Sequence, residues 1–204
     1  METRNLPEKR GKGNRRLLES QDGFTLIEML ITLAIIGIAF TMSASNFSKW
    51  KDKHQINGQA QKVYFDLMLA RTSAVKNNND VLVTFSTVND SYTVHDDTDG
   101  DGVEDASESS KSVNLEENAQ FAFNTGISDI DGNAVSAAVS FGGSQTVTFD
   151  SRGQASASGS VFLLHANDIG ITNARARTIS VLKATGAVDY WTYDSTVTPP
   201  WSSL

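Results

Sequence analysis

The hydrophobic rhythm of the chain changes three times. Residues 1–23 are polar and glycine-containing, with basic residues scattered through them. From Phe24 to Ser43 the chain is almost wholly apolar for 20 residues, and Glu28 is its only formal charge. As a helix at ~1.5 Å per residue that run spans ~30 Å, one bilayer core. It predicts a transmembrane half-helix over 24–43. A carboxylate inside such a segment costs several kcal/mol by insertion scales, which marks Glu28 as a functional residue.

Beyond the apolar run the period becomes three to four. Phe47, Trp50, His54, Asn57, Ala60, Val63 or Tyr64, Leu67, Ala70 or Arg71, and Ala74 recur at helical spacing, which predicts an amphipathic continuation over 44–76 with one inward stripe. No proline interrupts it before Asn77-Asn78-Asn79-Asp80, which predicts its stop. Gly58 is its weak point, at ~1 kcal/mol relative to alanine. A continuous helix from Phe24 to Lys76 would be ~80 Å long.

From Val81 onward the period falls to two. Val81–Phe85 and Ser91–Val94 flank Asn89-Asp90 and read as a hairpin. Further strands are predicted at 120–123, 145–149, 160–164, 178–182 and 187–191, with turns at Asp150-Ser151-Arg152-Gly153 and Ala184-Thr185-Gly186. A helix followed by strands predicts an α+β fold, with 77–204 as a globular antiparallel β domain. Pro199-Pro200-Trp201 reads as an irregular tail.

Gly23-Phe24-Thr25-Leu26-Ile27-Glu28 resembles the processing site of type IV pilins and of the pseudopilins of type II secretion. The resemblance implies that a prepilin peptidase cuts between Gly23 and Phe24, that Phe24 becomes the N-methylated N-terminus, and that Glu28 guides filament assembly. It also implies a pilin-like fold, with a long N-terminal α-helix packed on an antiparallel β-sheet domain. Three further segments resemble the minor pseudopilin H of type II secretion and the FimT-type minor pilins: 66–76, then 147–153, then 176–181 followed by Thr185-Gly186-Ala187-Val188. The chain departs from that pattern at Ala187, where a basic residue is frequent. The tail from Thr192 to Leu204 has no Lys or Arg, so the DNA binding associated with some FimT-type pilins is not carried over.

Charge fits this placement. The leader, 1–23, holds six of the 17 basic residues and four of the 24 acids, which leaves 11 against 20 and a net charge of −9 after cleavage. Basic residues ahead of the apolar run predict a cytoplasmic N-terminus and a periplasmic C-terminal domain. A secretory signal peptide would be cut after its apolar stretch; here the implied cut lies before it, so the helix is retained. With no cysteine, disulfides and thiolate metal sites are excluded. The negative charge argues against general nucleic-acid binding.

Asp97-Thr98-Asp99-Gly100-Asp101-Gly102-Val103-Glu104-Asp105-Ala106-Ser107-Glu108 fits the calcium-loop pattern D-x-[DN]-x-[DN]-G-x5-E at every position. Calcium takes six to eight oxygens, and alternate carboxylates of a coiled loop converge on one point. Asp97, Asp99 and Asp101 would supply side chains, Val103 its carbonyl, Asp105 a direct or water-mediated ligand, and Glu108 a bidentate closure. The alternative is a solvated acidic loop. His54, His95 and His165 show no metal-ligand spacing, and no nucleophile elbow or phosphate loop is present, so no enzyme is predicted.

These features predict a minor pilin-like subunit of the inner membrane, processed by prepilin peptidase. It would assemble with other major and minor pseudopilins on an inner-membrane platform, foremost for type II secretion. Two other readings stand: a FimT-type minor pilin of a type IV pilus, and a membrane-anchored calcium-binding adhesive module.

Overall fold

The computed structural model describes residues 23–203, with the side chains of 42–46 excepted. The leader up to residue 22 lies outside the described residues. The chain divides into two compact units, Met1–Ala44 and Ser45–Leu204, and α1 (Leu26–Asn77) begins in the first and ends in the second.

In the first unit α1 is apolar on every side: Met29, Leu30, Ile31, Leu33 and Ile35, which face successive directions around the helix, are all more than half exposed. Among the described residues of this unit nothing covers them, as expected of a helix destined for an apolar surrounding. Among the described residues no helix is long and apolar enough to cross a membrane, and the expected span 24–43 runs into the residues whose side chains are not described.

In the second unit α1 ends where the asparagines predict. Asn78 takes a left-handed conformation, φ 58°, and the Asn79 N–H returns to the Ala74 carbonyl at 3.3 Å. This is a Schellman stop, which satisfies carbonyls the last turn would leave open. The buried stripe is Ile56, Ala60, Val63, Leu67, Ala70 and Ala74, at the i, i+3, i+4 spacing of one helix face.

The upper part of the expected stripe is corrected. Phe47 and Trp50 are exposed, as is His54, and Asp52 and Gln59 point inward instead. These polar residues are tolerated because each finds a partner: Asp52 lies 3.4 Å from Arg175, and Gln59 Oε1 accepts from the Glu116 N–H at 3.3 Å.

Among the described residues ten strands form two antiparallel sheets. The first has the order β3 (Ser109–Asn114), β2 (Ser91–Asp97), β1 (Asp80–Ser86), β6 (Thr146–Phe149). The second runs β10 (Trp201–Ser203), β9 (Ala187–Tyr193), β8 (Arg177–Leu182), β7 (Gly159–His165), β4 (Ala119–Gln120), with β5 (Val139–Phe141) also on β7. The hairpin of β1 and β2 is as predicted, and β10 replaces the expected irregular tail.

Alternation of side chains across the pleat builds two cores. Val81, Val83 and Phe85 of β1, Val147 and Phe149 of β6, and Val161, Leu163, Ile179 and Val181 of the second sheet join the helix stripe in the main core. Phe162 and Leu164 point to the other face and pack with Ile127, Ala176 and Trp201. β7 is therefore covered on both sides, which is why its sequence is a continuous apolar run. Each fully buried Leu or Val contributes about 1.5–3 kcal/mol, and Leu67→Ala would cost about 2–5 kcal/mol through the cavity it leaves.

Candidate functional site

The segment that resembles a processing motif is exposed at Gly23 and Phe24. Gly23 and Phe24 precede the helix, and Phe24 is 79% exposed. A side chain built on Gly23 would meet nothing within 4 Å among the described residues, so none of them blocks the peptide bond between the two. Thr25 forms the helix N-cap: its carbonyl accepts from the Met29 N–H at 3.2 Å, and its Oγ1 accepts from the Glu28 N–H at 3.2 Å. Glu28 reaches back, its Oε2 accepting from the Thr25 N–H at 3.3 Å. That reciprocal pair is a capping box. The pattern Thr-x-x-Glu that encodes it is legible in the sequence, within the apolar run. Within the free subunit, Glu28 is an exposed carboxylate that starts the helix.

The acidic loop, 97–108, joins β2 to β3. Their register pairs Asp96 with Ser109, so the strands themselves bring Asp97 and Glu108, the first and last residues of the pattern, side by side. One carboxylate oxygen each from Asp97, Asp99 and Glu108 lie within 4.8 Å of one another.

The loop is wound by its own acids. Asp97 Oδ1 accepts from Gly100 N–H at 2.8 Å, and its Oδ2 from Gly102 N–H at 3.0 Å. Asp99 accepts from Asp101 N–H at 3.1 Å, and Asp101 from Val103 N–H at 2.7 Å. Gly100 and Gly102 hold φ of 79° and 73°, a left-handed conformation that glycine adopts without penalty.

Asp101 and Asp105 stand outside the converging set. Asp101 is spent on Val103, and Asp105 accepts from both the N–H and the hydroxyl of Ser107, at 2.7 and 2.6 Å. Val103 is 62% exposed.

Glu108 is held more firmly than its place in the pattern required. Its Oε1 accepts from Thr98 N–H at 2.7 Å, and its Oε2 lies 2.5 Å from His95 Nε2. The carboxylate is fully enclosed. The bond to His95, helped by the Thr98 and Asp105 N–H groups, holds its carboxyl far below the usual range, at about 2. The three carboxylates stand close together, and a hard divalent cation is the kind of group such a cluster could hold. The converging donors are all oxygen, which suits calcium better than a soft metal. His95 itself came from outside the twelve-residue pattern; the hairpin register places it.

His165 is buried at the end of β7, its Nδ1 accepting from Asn167 N–H at 3.2 Å and its Nε2 3.7 Å from Asp52. It belongs to the polar seam between α1 and the second sheet.

Comparison with known proteins adds to this geometry. The profile of the family described as type II transport protein GspH matches residues 59–185, and that of the prokaryotic N-terminal methylation motif matches 20–44. No curated protein matches the chain. Among solved structures the chain is similar to the minor pseudopilin EpsH from the type 2 secretion system of Vibrio cholerae, at 14% identity over 68% of this chain and 97% of that one, with a TM-score of 0.45. It is also similar to the Pseudomonas aeruginosa type IV minor pilin FimU, at 9% identity over 72% and 95%, with a TM-score of 0.47.

Proposed function

The chain belongs to the type II transport protein GspH family, and from that premise we propose that it is a minor pseudopilin of a type II secretion system. Prepilin peptidase cleaves it between Gly23 and Phe24 and methylates Phe24. The helix beginning at Leu26 anchors it in the inner membrane, with the globular domain on the periplasmic side. An assembly platform then moves it into a pseudopilus beside other pseudopilins. The observation that carries this reading is the presence, in one chain and in the right order, of the methylation motif over 20–44 and the family match over 59–185.

The chemistry of assembly follows from burial. In a packed bundle of apolar helices the Glu28 carboxylate loses its water. The cationic α-amine of a cleaved Phe24, on a neighbouring subunit, is the partner that offsets this desolvation. A subunit in the wrong register leaves both charges unpaired, so the pair selects register more than it adds stability.

The acidic loop is proposed to hold one calcium ion. Asp97, Asp99 and Glu108 would be its carboxylate ligands, with water completing the shell, since Asp101 and Asp105 are engaged within the loop. The ion would supply the positive charge that orders the connection between β2 and β3. The approach of one oxygen each from Asp97, Asp99 and Glu108 to within 4.8 Å of one another supports this.

Deletion of the gene in its own host, scored together for secreted proteins in the medium and for pili sheared from the surface, tests the main reading. Lost secretion with intact pili is expected. Lost pili with intact secretion would transfer the chain to the type IV pilus.

A further inference from the structure

Phe47, Trp50 and His54 lie along one exposed edge of α1, and their rings stack in series. Phe47 and Trp50 have centroids 5.8 Å apart, and Trp50 and His54 lie 5.6 Å apart and within 7° of parallel. Phe47 is 63% and Trp50 60% exposed. Large rings left in water are a surface that expects cover. Lys49, Lys51 and Lys53 are interleaved with them and are all exposed. The one acid in this stretch, Asp52, is turned the other way, 9% exposed and 3.4 Å from Arg175. The outer surface of 47–54 thus offers three ammonium groups and almost no anion, in a chain whose net charge is −7.

Two relationships narrow the occupant. First, Phe47 follows Ser43, the last residue of the apolar run, by four positions. Helical side chains lean toward the N-terminus, so the rings and the lysine stems lean back along α1 toward that run. Second, a second copy would present the same three cations, and like charges repel. Aromatic rings mixed with lysines at the end of an apolar helix match a lipid headgroup layer, where ring bodies take the apolar side and ammonium groups the phosphates.

We propose that residues 47–54 form a collar that binds anionic phospholipid headgroups at the periplasmic membrane surface. Phe47 and Trp50 lie at the boundary, and Lys49, Lys51 and Lys53 pair with phosphates. The collar sets the depth of the anchored subunit, and its release is part of the cost of drawing the subunit into a filament. It rests on the reading of 24–43 as membrane-inserted.

The test uses the full chain reconstituted in phosphatidylethanolamine–phosphatidylglycerol vesicles and, in parallel, in phosphatidylcholine vesicles. Flotation with the vesicles reports insertion. Quenching of tryptophan emission by lipids brominated near the headgroup reports Trp50, by difference from Trp50→Phe. We expect flotation, headgroup-level quenching that disappears in Trp50→Phe, and loss of that quenching in the Lys49→Gln/Lys51→Gln/Lys53→Gln variant only where phosphatidylglycerol is the anionic lipid. These exposed substitutions leave both cores untouched. A chain that floats while Trp50 is quenched by aqueous iodide and not by lipid overturns the collar alone. So does a floating chain whose Trp50 is shielded from both quenchers, which would place protein over this face. A chain that does not float overturns the inserted reading, and the collar with it.

Discussion

Arg71 Nε, on α1, donates to the carbonyl oxygen of Gly153 at 3.0 Å, a contact that joins the helix to a turn 82 residues away. The turn between β8 and β9 closes on the same spot: a Cβ on Gly186 would sit 2.0 Å from that oxygen. Gly153 is itself hemmed by Val75, 3.0 Å from where its Cβ would be. Three of the family-like segments therefore meet at one point, and their glycines are required by close approach and by positive φ, 76° at Gly153 and 59° at Gly186. Arg71→Ala should cost about 1.5–3 kcal/mol, the range for a charged donor. Gly186→Ala should cost more, because the backbone must move before a side chain fits. Denaturant unfolding of the full chain in detergent micelles ranks the two; a harmless Gly186→Ala would mean the turn is not clamped.

That point of contact shows what a sequence can and cannot disclose. The order of the segments 66–76, 147–153 and 176–188 was legible, while the reason for it lay in three-dimensional proximity. The helix bounds were legible because Asn77-Asn78-Asn79 is local punctuation. The inward face of 47–59 was not. Its rings stack on one another in the open, and its buried Asp52 and Gln59 are satisfied by Arg175 and Glu116, more than fifty residues on. β3 carries a single buried residue, Val113, within Ser109–Asn114, so hydrophobic alternation gave it no signal; β2 templates it. The acidic loop was legible in outline, since ligand spacing is local. The hold of His95 on Glu108 depends on strand register and was not.

Tyr92 donates from its hydroxyl to Asp66 Oδ2 at 2.6 Å, and Lys111 Nζ reaches the same carboxylate at 2.8 Å. Burial, then the bond to Asp66, pushes the Tyr92 phenol far above its ordinary value, and burial also raises Tyr190. A phenol whose folded value exceeds its unfolded value of about 10 binds its proton more tightly when folded. Its stabilising effect is complete below that pH and is lost as pH climbs beyond it. Stability should therefore fall steeply above about pH 10, with the phenolate absorbance of both residues appearing together with unfolding. Tyr92→Phe should flatten that alkaline slope. Phenolate absorbance from Tyr92 in a chain with native circular dichroism would refute the assignment.

Asp168 is buried to 1% exposure and grips Arg175, whose Nε donates to its Oδ2 at 2.6 Å. Arg175 also faces Asp52 of α1, so the pair seals the helix to the loop after β7. Removing one side of such a buried pair costs about 3–5 kcal/mol, because the other charge is left unpaired. Asp168→Leu should fall in that range. The double variant Asp168→Leu/Arg175→Met should lose less than the two single losses added together, by more than about 1 kcal/mol. Strict additivity in the unfolding free energies would show that the contact is not an energetic unit.

Calcium should raise the melting temperature of the chain by several degrees, and chelation should reverse it, because binding only the folded state stabilises by mass action. Asp99→Ala should abolish the difference while leaving the calcium-free melting curve nearly unchanged, since Asp99 contributes one bond, to Asp101 N–H, in the loop as it stands. Titration calorimetry gives the stoichiometry directly, with one ion per chain expected. Identical melting curves in calcium and in chelator would leave the loop as a self-capped acidic turn.

Glu28 has two roles that a substitution can separate. In the free subunit it completes a capping box with Thr25; in the proposed filament it would pair with a cationic N-terminus. Glutamine serves a capping box as well as glutamate does, but it carries no charge. Glu28→Gln should therefore begin its helix normally, be cleaved after Gly23 and reach the membrane, yet fail to enter the pseudopilus. Glu28→Leu should fail in the same way and, in addition, loosen the first turn. The measurements are the N-terminal mass of the purified chain, which reports cleavage and methylation, and its recovery in sheared pseudopili from cells overproducing the filament. If Glu28→Gln is recovered at the wild-type level while Glu28→Leu is not, the residue acts through the helix start alone, and the charge-pairing account of register must be abandoned.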